Sequence, residues 1–371
     1  MNFCLDARAA TNHFPGVGRY VSNLAQALTE QLEAGESLTL LRDPATSSRW
    51  QLPEPCPGRV RISDTPATLF GLRQQLSIPP LLRRLDVDTY HSPFYLMPYR
   101  PGRPTVVTLY DLIPELLPHH VSRRARLVTR ATTRLALSAA REVITISEAS
   151  RRDLTARYGL PSDRVTVIPL APAPQFVPQP DRAIQRVRDR YDLRDYVLYV
   201  GINKPHKNLL ALVEAWQQVA TEAKLVIAGP WDPRYPEPQQ RVSSLGIDDR
   251  VAFLGPVDDE DLPALYAGAR LFVFPSLYEG FGLPVIEAMA CGTTVACADT
   301  SSLPEVAGDA AALFDPQDVA GIAAVVNKLL ADEALRLKYR SLGLARAAGF
   351  SWSRAAAATL GVYRKIAAGP R

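Results

Sequence analysis

The chain has 371 residues, of which 47% are hydrophobic, and a formal net charge of +4. One hydrophobic core seldom supports this length, so we expect two domains, and the apolar content is enough to fill both of their cores. No apolar stretch is long enough to span a bilayer and no charged-then-apolar leader begins the chain. These two features argue against a membrane-spanning protein and predict a cytoplasmic one.

Positive charge is concentrated in the first half of the chain. Residues 1–175 carry 21 Arg and no Lys against 15 Asp and Glu, a balance of +6. The remaining residues carry 21 cations against 23 acids, a balance of −2. An anionic partner should therefore bind the first half.

Short β-rich runs alternate with helical patterns through most of the chain. This alternation predicts the α/β class, with parallel sheets covered by helices on both faces. The predicted strands are 2–6, 105–109, 143–147 and 165–168 in the first half and 196–201, 225–229, 251–254, 271–274 and 294–296 in the second.

A proline-rich segment, residues 170–180, divides these two series of strands and predicts a linker. We therefore expect two doubly wound domains, at residues 1–172 and 173–371. Ligands of such sheets bind outside the carboxyl ends of the strands, so two domains facing one another should form a ligand cleft.

Two further segments have local patterns of their own. Residues 53–66 are also rich in proline and predict an irregular excursion on the first domain. Apolar residues at helical spacing within 352–366 predict a final helix packed across a domain surface. The 351–371 segment could in this way cross back to the first domain.

A glycine pair follows the first predicted strand. Gly16 and Gly18 precede a helical pattern, and a glycine turn at a helix N-terminus is a ready anion site. A simple packing turn explains the pair equally well, because the third glycine and the acid of the dinucleotide fingerprint are missing. The apolar face of that helical pattern consists of Val17, Val21, Leu24, Leu28 and Leu32.

Polar side chains follow strand ends in the middle of the first domain. His91 and Ser92 occupy one such position and Tyr110 and Asp111 another, where side chains should face the cleft rather than the core. His91 could instead be a structural histidine, which is the commoner role of a lone histidine. Asp111 is the stronger candidate for catalysis, although it could equally cap the next helix.

Arginines recur at helical spacing between Ser122 and Arg141. They predict one basic stripe that could bind membrane phosphates or an anionic acceptor. The alternative is a solvated helix face, which is what most charged stripes are. The stripe consists of Arg123, Arg126, Arg130, Arg134 and Arg141.

Three basic residues crowd the turn after the first strand of the second domain. In VGINKPHKN, Lys204, His206 and Lys207 lie between the strand and a helix that begins near Asn208. Cations at this position can neutralise a diphosphate, whose charge rises as its bond to a sugar breaks. The alternative is an exposed basic turn with no ligand.

The stretch EGFGLPVIEAMACG, residues 279–292, has the most specific pattern in the chain. It follows a predicted buried strand and leads into a helix, with Pro284 near the first helical position. Glu279 then lies on the loop and Glu287 one turn inside the helix. Two carboxylates so placed suit a polyhydroxylated ligand, because carboxylates accept hydrogen bonds from vicinal hydroxyls.

The glycines of this stretch shape its loop. Gly280 and Gly282 allow backbone conformations that a Cβ would block, so the amides beside Phe281 and Leu283 could face a ligand directly. The alternative is a tight turn with two surface glutamates, since glycine-rich turns between strands and helices are common.

Together and in this order, these motifs resemble the retaining GT-B glycosyltransferases of family 4, also called group 1. The resemblance covers nearly the whole chain, and the glutamate pair is its most specific mark. The HSPF and PHKN motifs most resemble those of bacterial mannosyltransferases of lipopolysaccharide and capsule assembly. The matching stretches are DAR and GVGRY near the start, YDLIP, ITISEASRRDL, VGINKPHKN, EGFGLPVIEAMACG, SSLPEVAGDAAALF and the closing FSW helix.

The resemblance implies a GT-B fold, in which two Rossmann-like domains face each other across a cleft. The C-terminal domain would bind the nucleotide sugar and the N-terminal domain the acceptor. Glu279 would face the donor sugar and Glu287 the ribose. Lys207 would hold the diphosphate, helped by His206 or by the N-terminus of the helix after Ser301 and Ser302.

The resemblance also assigns roles to backbone groups and to side chains of the first domain. The amides around Phe281, Gly282 and Leu283 would meet sugar hydroxyls. Gly16 and Gly18 would close over the phosphates or the acceptor from the other domain. His91, Tyr110 and Asp111 would lie on the acceptor side, with Asp111 as a catalytic candidate.

Two positions depart from the family pattern. Tyr110 stands before Asp111 where many relatives have a histidine, and a phenol with a pKa near 10 is a poor general base at neutral pH. Ile202 replaces the usual arginine after the strand-end glycine of the donor domain. The diphosphate charge must therefore fall on Lys207 and on Lys204.

The family implies retention of the anomeric configuration, but no nucleophile is evident. We therefore expect front-face transfer, in which the departing phosphate oxygen deprotonates the acceptor hydroxyl. No DxD-like pair accompanies the donor motifs, so we predict no metal requirement, and no cofactor or nucleic-acid partner is expected. The four cysteines lack metal-site spacing and predict reduced, mostly buried thiols: Cys4, Cys56, Cys291 and Cys297.

The expected function is transfer of a hexose, first of all mannose from GDP-mannose, to a glycan or lipid-linked acceptor. One alternative is a nucleotide-sugar epimerase or hydrolase of similar fold, which would act on the donor without an acceptor. Another is a non-catalytic module that binds a nucleotide sugar. A nicotinamide oxidoreductase is disfavoured by the incomplete glycine fingerprint.

Overall fold

The computed structural model describes residues 1–46, 48–118 and 121–369. It has two compact units, each with a parallel sheet of its own. The first comprises Met1–Leu170 together with the C-terminal segment from Ser351, and the second comprises Ala171–Phe350. The predicted boundary after residue 172 lies two residues beyond this division. The C-terminal segment, assigned by prediction to 173–371 with the option of crossing back, belongs to the first unit.

The first unit contains a seven-stranded parallel sheet with the strand order β3-β2-β1-β4-β5-β6-β7. Its central strands are buried on both faces, and they carry apolar side chains together with buried polar ones such as His91 and Thr108. The strands are β1 (Asn2–Asp6), β2 (Ser37–Arg42), β3 (Val60–Asp64), β4 (Thr89–Ser92), β5 (Thr105–Thr108), β6 (Glu142–Thr145) and β7 (Val165–Val167).

Helices connect these strands and cover the sheet. α1 buries Val17, Val21, Leu24 and Leu28, as its periodicity predicts, and each such burial stabilises the fold by about 1.5–3 kcal/mol. The helices are α1 (Pro15–Gln31), α2 (Gln74–Arg84), α3 (Ile113–Leu116), α4 (Arg123–Ala139) and α5 (Glu148–Tyr158), with single 3₁₀ turns at Ala7–Ala9 and Ser162–Arg164.

The second unit contains a six-stranded parallel sheet with the strand order β10-β9-β8-β11-β12-β13. Its strands are β8 (Tyr196–Val200), β9 (Lys224–Ala228), β10 (Val251–Gly255), β11 (Leu271–Phe274), β12 (Val295–Ala298) and β13 (Ala312–Phe314). Its helices are α6 (Asp181–Arg190), α7 (Leu209–Trp216), α8 (Glu237–Leu245), α9 (Leu262–Ala267), α10 (Leu283–Ala290), α11 (Leu303–Ala307), α12 (Val319–Ala331) and α13 (Glu333–Ala348), with 3₁₀ turns at Pro205–Lys207 and Asp248–Arg250.

The predicted α/β class is confirmed, and each predicted strand coincides with an observed one to within two residues at either end. The expectation that residues 53–66 are wholly irregular is wrong, because residues 60–64 form β3. Each residue of β3 pairs with a residue of β2, from Leu38 with Val60 to Arg42 with Asp64. The strands β2 and β13 were also not predicted, and β4 was implied only by the strand end assigned at His91 and Ser92.

The predicted final helix is α14 (Trp352–Ala367), and it packs against α1. Arg364 donates two hydrogen bonds of 2.8 Å to the Glu36 carboxylate, and Lys365 pairs with Glu142 on β6. Thr89 on β4 donates to the Tyr363 carbonyl at 3.2 Å. Long-range polar contacts of this kind hold the end of the chain in the first unit.

All four cysteines are free thiols, and three of them are buried, whereas Cys56 is exposed. This matches the prediction of reduced, mostly buried thiols. No helix within the described ranges combines the length and the apolar character that crossing a bilayer would need.

Candidate functional site

The loop between β11 and α10 carries the glutamate motif. β11 is buried along its length, and α10 begins at Leu283 with Pro284 as its second residue, as predicted. Gly282 has φ +100°, and a Cβ there would lie 2.5 Å from Cδ2 of Leu303. Only glycine fits this position, because both the backbone conformation and the close approach of α11 exclude a side chain.

Glu279 of this loop forms an ion pair with Lys207 on the turn after β8. Lys207 Nζ donates to Glu279 Oε1 at 2.6 Å, and the two side chains are only 17% and 10% exposed. The lysine ammonium also lies 5.4 Å from the ring centre of Phe274. Removal from water strengthens the attraction between the charges, so each side chain holds the other in place.

Two serines hold the backbone of Glu279. The Glu279 amide donates to Ser301 Oγ at 2.9 Å, and Ser302 Oγ donates to the Glu279 carbonyl at 2.9 Å. Ser301 has φ +53°, a conformation that costs a non-glycine residue free energy and is retained where the surrounding structure enforces it. The sequence suggested help from this helix N-terminus with the diphosphate, whereas these hydroxyl groups are bonded to Glu279.

Asn208 holds the lysine turn, and the sequence did not single it out for this. It has φ +57°, and its Nδ2 donates to the carbonyls of Pro275 at 3.1 Å and Pro316 at 2.7 Å. In addition, the Leu277 amide donates to the His206 carbonyl at 2.8 Å. The turn after β8 is therefore tied to the exits of β11 and β13, and its signal was an asparagine where the left-handed conformation is needed.

Lys204 and His206 lie on the same turn but differ in exposure. His206 is 8% exposed, whereas Lys204 is exposed.

The hydrogen bonds from Arg234, and to a smaller extent the charge of Lys204, lower the pKa of Asp232 to about 2. Asn203, which the sequence also did not single out, bonds to the backbone of Asp232, with Nδ2 to the carbonyl at 2.9 Å and Oδ1 accepting from the amide at 2.6 Å.

Glu287 lies inside α10 and is 2% exposed. Its Oε2 accepts a hydrogen bond from Tyr266 Oη at 3.3 Å. Burial, and secondly the charge of Glu287, raise the pKa of the Cys291 thiol. Phe281 is also enclosed, and its ring packs edge-on against Phe350 with 5.7 Å between centres. The alternative of two surface glutamates is therefore wrong, and the predicted contact of Glu287 with ribose stays a prediction.

His91 is a structural residue, which corrects its assignment to the acceptor side. It lies within β4 and is fully buried. Nδ1 lies 2.6 Å from Tyr363 Oη and Nε2 lies 2.7 Å from Thr108 Oγ1, so both ring nitrogens are occupied. Burial lowers the pKa of His91 to about 3, so the imidazole is neutral in the folded protein.

Tyr110 and Asp111 follow β5. Burial raises the pKa of the Tyr110 phenol well above its usual value, and its hydroxyl oxygen is buried without a hydrogen-bond partner among the described residues. Both facts strengthen the objection to Tyr110 as a general base. Asp111 Oδ1 accepts from the amide of Ile113, the first residue of α3, at 2.9 Å, although the N-cap position of this helix is Leu112 and not Asp111.

Gly16 and Gly18 lie inside α1, which corrects the expectation that they precede the helix. The Gly18 amide donates to the Phe14 carbonyl at 2.9 Å, so the helix itself uses this group. A Cβ on Gly18 would lie 2.0 Å from Nε1 of Trp50. Gly18 is therefore a packing residue, and Gly16, which is exposed, has open space around it.

The arginine stripe is shorter than predicted, because α4 ends at Ala139 and Arg141 lies beyond it. Arg126 and Arg130 are half-buried, whereas the other arginines of the helix are exposed. Three large apolar side chains beside them also face solvent: Leu127 at 63%, Val128 at 54% and Leu135 at 49% exposed. The predicted binding of this helix to membrane phosphates or an anionic acceptor stays a prediction.

Among the described residues, no group of three or more His, Cys, Asp or Glu side chains is placed to hold a metal ion. The predicted independence from metal stays a prediction.

Comparison with known proteins decides the family. The model of glycosyl transferases group 1 matches residues 181–343, and that of glycosyltransferase family 4 matches residues 15–171. The O-antigen chain mannosyltransferase B of Escherichia coli is 36% identical over 284 residues, which are 75% of this chain and 74% of that protein. The chain is a family 4 glycosyltransferase. The serotype-specific mannosyltransferase WbdA of Escherichia coli is 35% identical over 262 residues, which are 68% of this chain but only 32% of WbdA.

Solved structures agree with this family in fold. Sucrose-phosphate synthase from Thermosynechococcus elongatus has a TM-score of 0.75 at 23% identity, with 98% of each chain covered. Anabaena Alr3699/HepE, solved in complex with UDP and glucose, has a TM-score of 0.76 at 20% identity, with 98% of this glycosyltransferase and 99% of that chain covered. The GT-B fold class predicted from the motifs is thereby confirmed.

Proposed function

We propose that this glycosyltransferase transfers mannose from GDP-mannose to a hydroxyl group of a glycan or lipid-linked acceptor, with retention of the anomeric configuration. The partly buried ion pair between Lys207 and Glu279 is the observation that carries the proposal. It places one cation and one hydrogen-bond acceptor together at the carboxyl edge of a Rossmann-like sheet, where ligands of such sheets bind. The choice of mannose is supported by the mannosyltransferases among the relatives.

In this mechanism the bond between the anomeric carbon and the diphosphate oxygen breaks first. Lys207 stabilises the negative charge that develops on the diphosphate, and Lys204 adds to the positive field. Glu279 accepts hydrogen bonds from the hydroxyls of the sugar and orients it. The acceptor oxygen then bonds to the same face of the anomeric carbon, and its proton passes to the departing phosphate oxygen. The second unit is thus the donor-binding unit and the first the acceptor-binding unit.

The remaining candidates keep supporting roles in the proposal. Glu287 holds the ribose once its enclosed carboxylate becomes accessible at the end of the helix. The amides around Phe281, Gly282 and Leu283 donate hydrogen bonds to sugar hydroxyls. Asp111 binds the acceptor hydroxyl from its position after β5. The reaction needs no metal ion, so transfer should persist in the presence of excess chelator; loss of transfer that Mg²⁺ or Mn²⁺ restores would contradict this point.

The face of α4 that carries Leu127, Val128 and Leu135 binds an anionic membrane surface in this proposal. Exposed apolar side chains beside arginines support it, because such a helix buries its apolar side in the interface while its cations meet lipid phosphates. The test is co-sedimentation with vesicles of anionic and of zwitterionic lipid. Leu127→Ser with Leu135→Ser should abolish binding to the anionic vesicles, and unchanged binding would refute the contact.

The transfer assay supplies purified protein with a panel of nucleotide sugars and a mannose-containing oligosaccharide acceptor. GDP-mannose should give product whose new linkage has the α configuration of the donor. Glu279→Gln should remove most transfer, whereas the matched control Glu222→Gln changes an exposed glutamate of the same unit and should not. Near-normal turnover by Glu279→Gln would refute the assignment. Release of nucleotide at the same rate without an acceptor would favour the hydrolase alternative.

A further inference from the structure

A cavity of about 600 Å³ lies in the first unit, and its lining includes none of the residues proposed to bind the donor. It opens at the carboxyl ends of β1, β2 and β3, and its volume is within the range of about 300–1,000 Å³ typical of small-molecule sites. Its lining includes Arg8 after β1, Arg42 and Asp43 at the end of β2, Asp64 at the end of β3, and Trp50. This is the carboxyl edge of the sheet, where ligands of doubly wound sheets bind, beside the switch point between β1 and β4.

Arg8 forms a rigid part of the lining. Its guanidinium is 3% exposed and donates to Asp6 twice, at 2.8 and 2.5 Å. It also donates to the Ala67 carbonyl at 2.9 Å and to Gln74 Oε1 at 3.3 Å. Tyr90 Oη donates to the same Asp6 carboxylate at 2.5 Å. A network bonded on all sides keeps its geometry when a ligand enters, which favours binding.

The second arginine of the lining is also paired. Arg42 donates to the two oxygens of Asp64 at 2.8 and 3.0 Å, across neighbouring strands, and about half of each side chain is exposed. The Asp43 carboxylate accepts from the Ala45 amide and from the Thr46 hydroxyl, both at 3.0 Å. The Arg42–Asp64 pair is neutral, and Asp43 and Glu54 add negative charge to the lining, so it favours neutral polar groups over a phosphate.

Trp50 supplies an aromatic wall whose position is fixed by its neighbours. Its Nε1 donates to the Thr11 carbonyl at 3.3 Å, and the Arg49 guanidinium lies 4.7 Å from its ring centre. The absence of a side chain at Gly18 makes room for the indole. Ser48 Oγ, which donates to the Ala10 carbonyl at 2.6 Å, holds the loop on its other side.

An indole face beside carboxylates and paired guanidinium groups matches the surface of a pyranose ring. The ring's C–H face packs on the indole, and its hydroxyls exchange hydrogen bonds with carboxylates and guanidinium groups. We propose that this cavity binds one saccharide unit of the neutral acceptor chain, with Trp50 as its platform. The inference rests on the proposed function for the identity of the ligand, but saccharide binding at this place can be measured without transfer.

The direct test is a calorimetric titration with α-linked mannotetraose, without donor. The wild type should bind it, and Trp50→Ala should weaken binding about tenfold, as expected when a central aromatic contact is removed. Asp64→Asn, at a half-exposed site that should tolerate the change, should weaken it as well. The control Leu72→Ala removes an 87% exposed side chain outside the lining and should bind like the wild type.

A steady-state assay provides the second readout. Trp50→Ala should raise the KM for the acceptor chain about tenfold, because the contact holds a part of the acceptor that does not react. Equal mannotetraose binding by the wild type, Trp50→Ala and Asp64→Asn, or no binding by the wild type at millimolar concentration, would overturn the inference. Retained transfer by Glu279→Gln would instead refute the proposed function and leave this binding result standing.

Discussion

The two units of this glycosyltransferase hold their motif residues differently. In the second unit, Glu279 comes five positions after the end of β11 at Phe274, on a loop that polar side chains fasten in place. In the first unit, His91 is itself part of β4, and its two ring nitrogens bond to core hydroxyls. A polar residue inside a central strand serves packing, whereas one carried beyond the strand end by a loop is available for chemistry.

The largest loss of activity is expected from a substitution in the second unit. Lys207→Ala should lower kcat by about 10²–10³-fold, because a preorganised cation then no longer stabilises the departing diphosphate. The measurement is steady-state transfer from GDP-mannose, and the control Lys224→Ala removes an exposed lysine of β9. If Lys207 and Glu279 act as a pair, the double variant should lose little more than the worse single one. Additive losses would contradict the pairing.

For His91 in the first unit, we expect a loss of stability with little loss of turnover. His91→Phe should lower the free energy of unfolding by about 2 kcal/mol, because it leaves the Tyr363 hydroxyl buried without its partner and removes one of the two hydrogen bonds of the Thr108 hydroxyl. Turnover per folded molecule should stay close to that of the wild type. Urea-induced unfolding measures the first quantity, and His13→Phe is the control at an exposed histidine. A large loss of turnover with unchanged stability would return His91 to the active site.

A smaller effect is expected where a residue acts through another. Ser302→Ala should reduce kcat about tenfold and stability by about 1 kcal/mol, because the Glu279 carbonyl loses a buried hydrogen bond and the loop relaxes. Ser302→Thr, which keeps the hydroxyl group, should recover part of the activity. Ser244→Ala, at an exposed serine of α8, should change neither quantity. Loss of stability with normal kcat would show that Ser302 is merely structural.

The smallest expected effect is on how the free energy of unfolding depends on pH. The folded-state pKa of His91, about 3, lies below its ordinary value of 6.5, so the unfolded chain binds a proton that the folded chain does not. This contribution to stability is complete above pH 6.5 and is lost progressively as the pH falls towards 3. Between pH 7 and pH 5.5 the wild type should lose about 1 kcal/mol more than His91→Phe. Equal pH dependence of the two proteins would contradict the buried neutral imidazole.

Most of the strands could be predicted from the sequence, and the missed ones have physical reasons. Residues 37–42 form a short apolar run that periodicity alone does not distinguish from a buried helix segment. Residues 60–64 follow several prolines and have few apolar side chains, and they become a strand because β2 offers them a free edge for pairing. Strand formation there depends on a partner that local sequence does not reveal.

The local sequence was sufficient for the class of fold, the glycine at position 282 and the residue types of the proposed donor site, because periodicity and backbone preference act over a few residues. Which polar groups come into contact was decided by the tertiary structure. Lys207 and Glu279 are 72 residues apart in the chain, and His91 and Tyr363 are 272 apart. Hydrogen bonds and ion pairs act over about 3 Å, so only the packed sheets and loops could make the first pair part of a site and bury the second in the core.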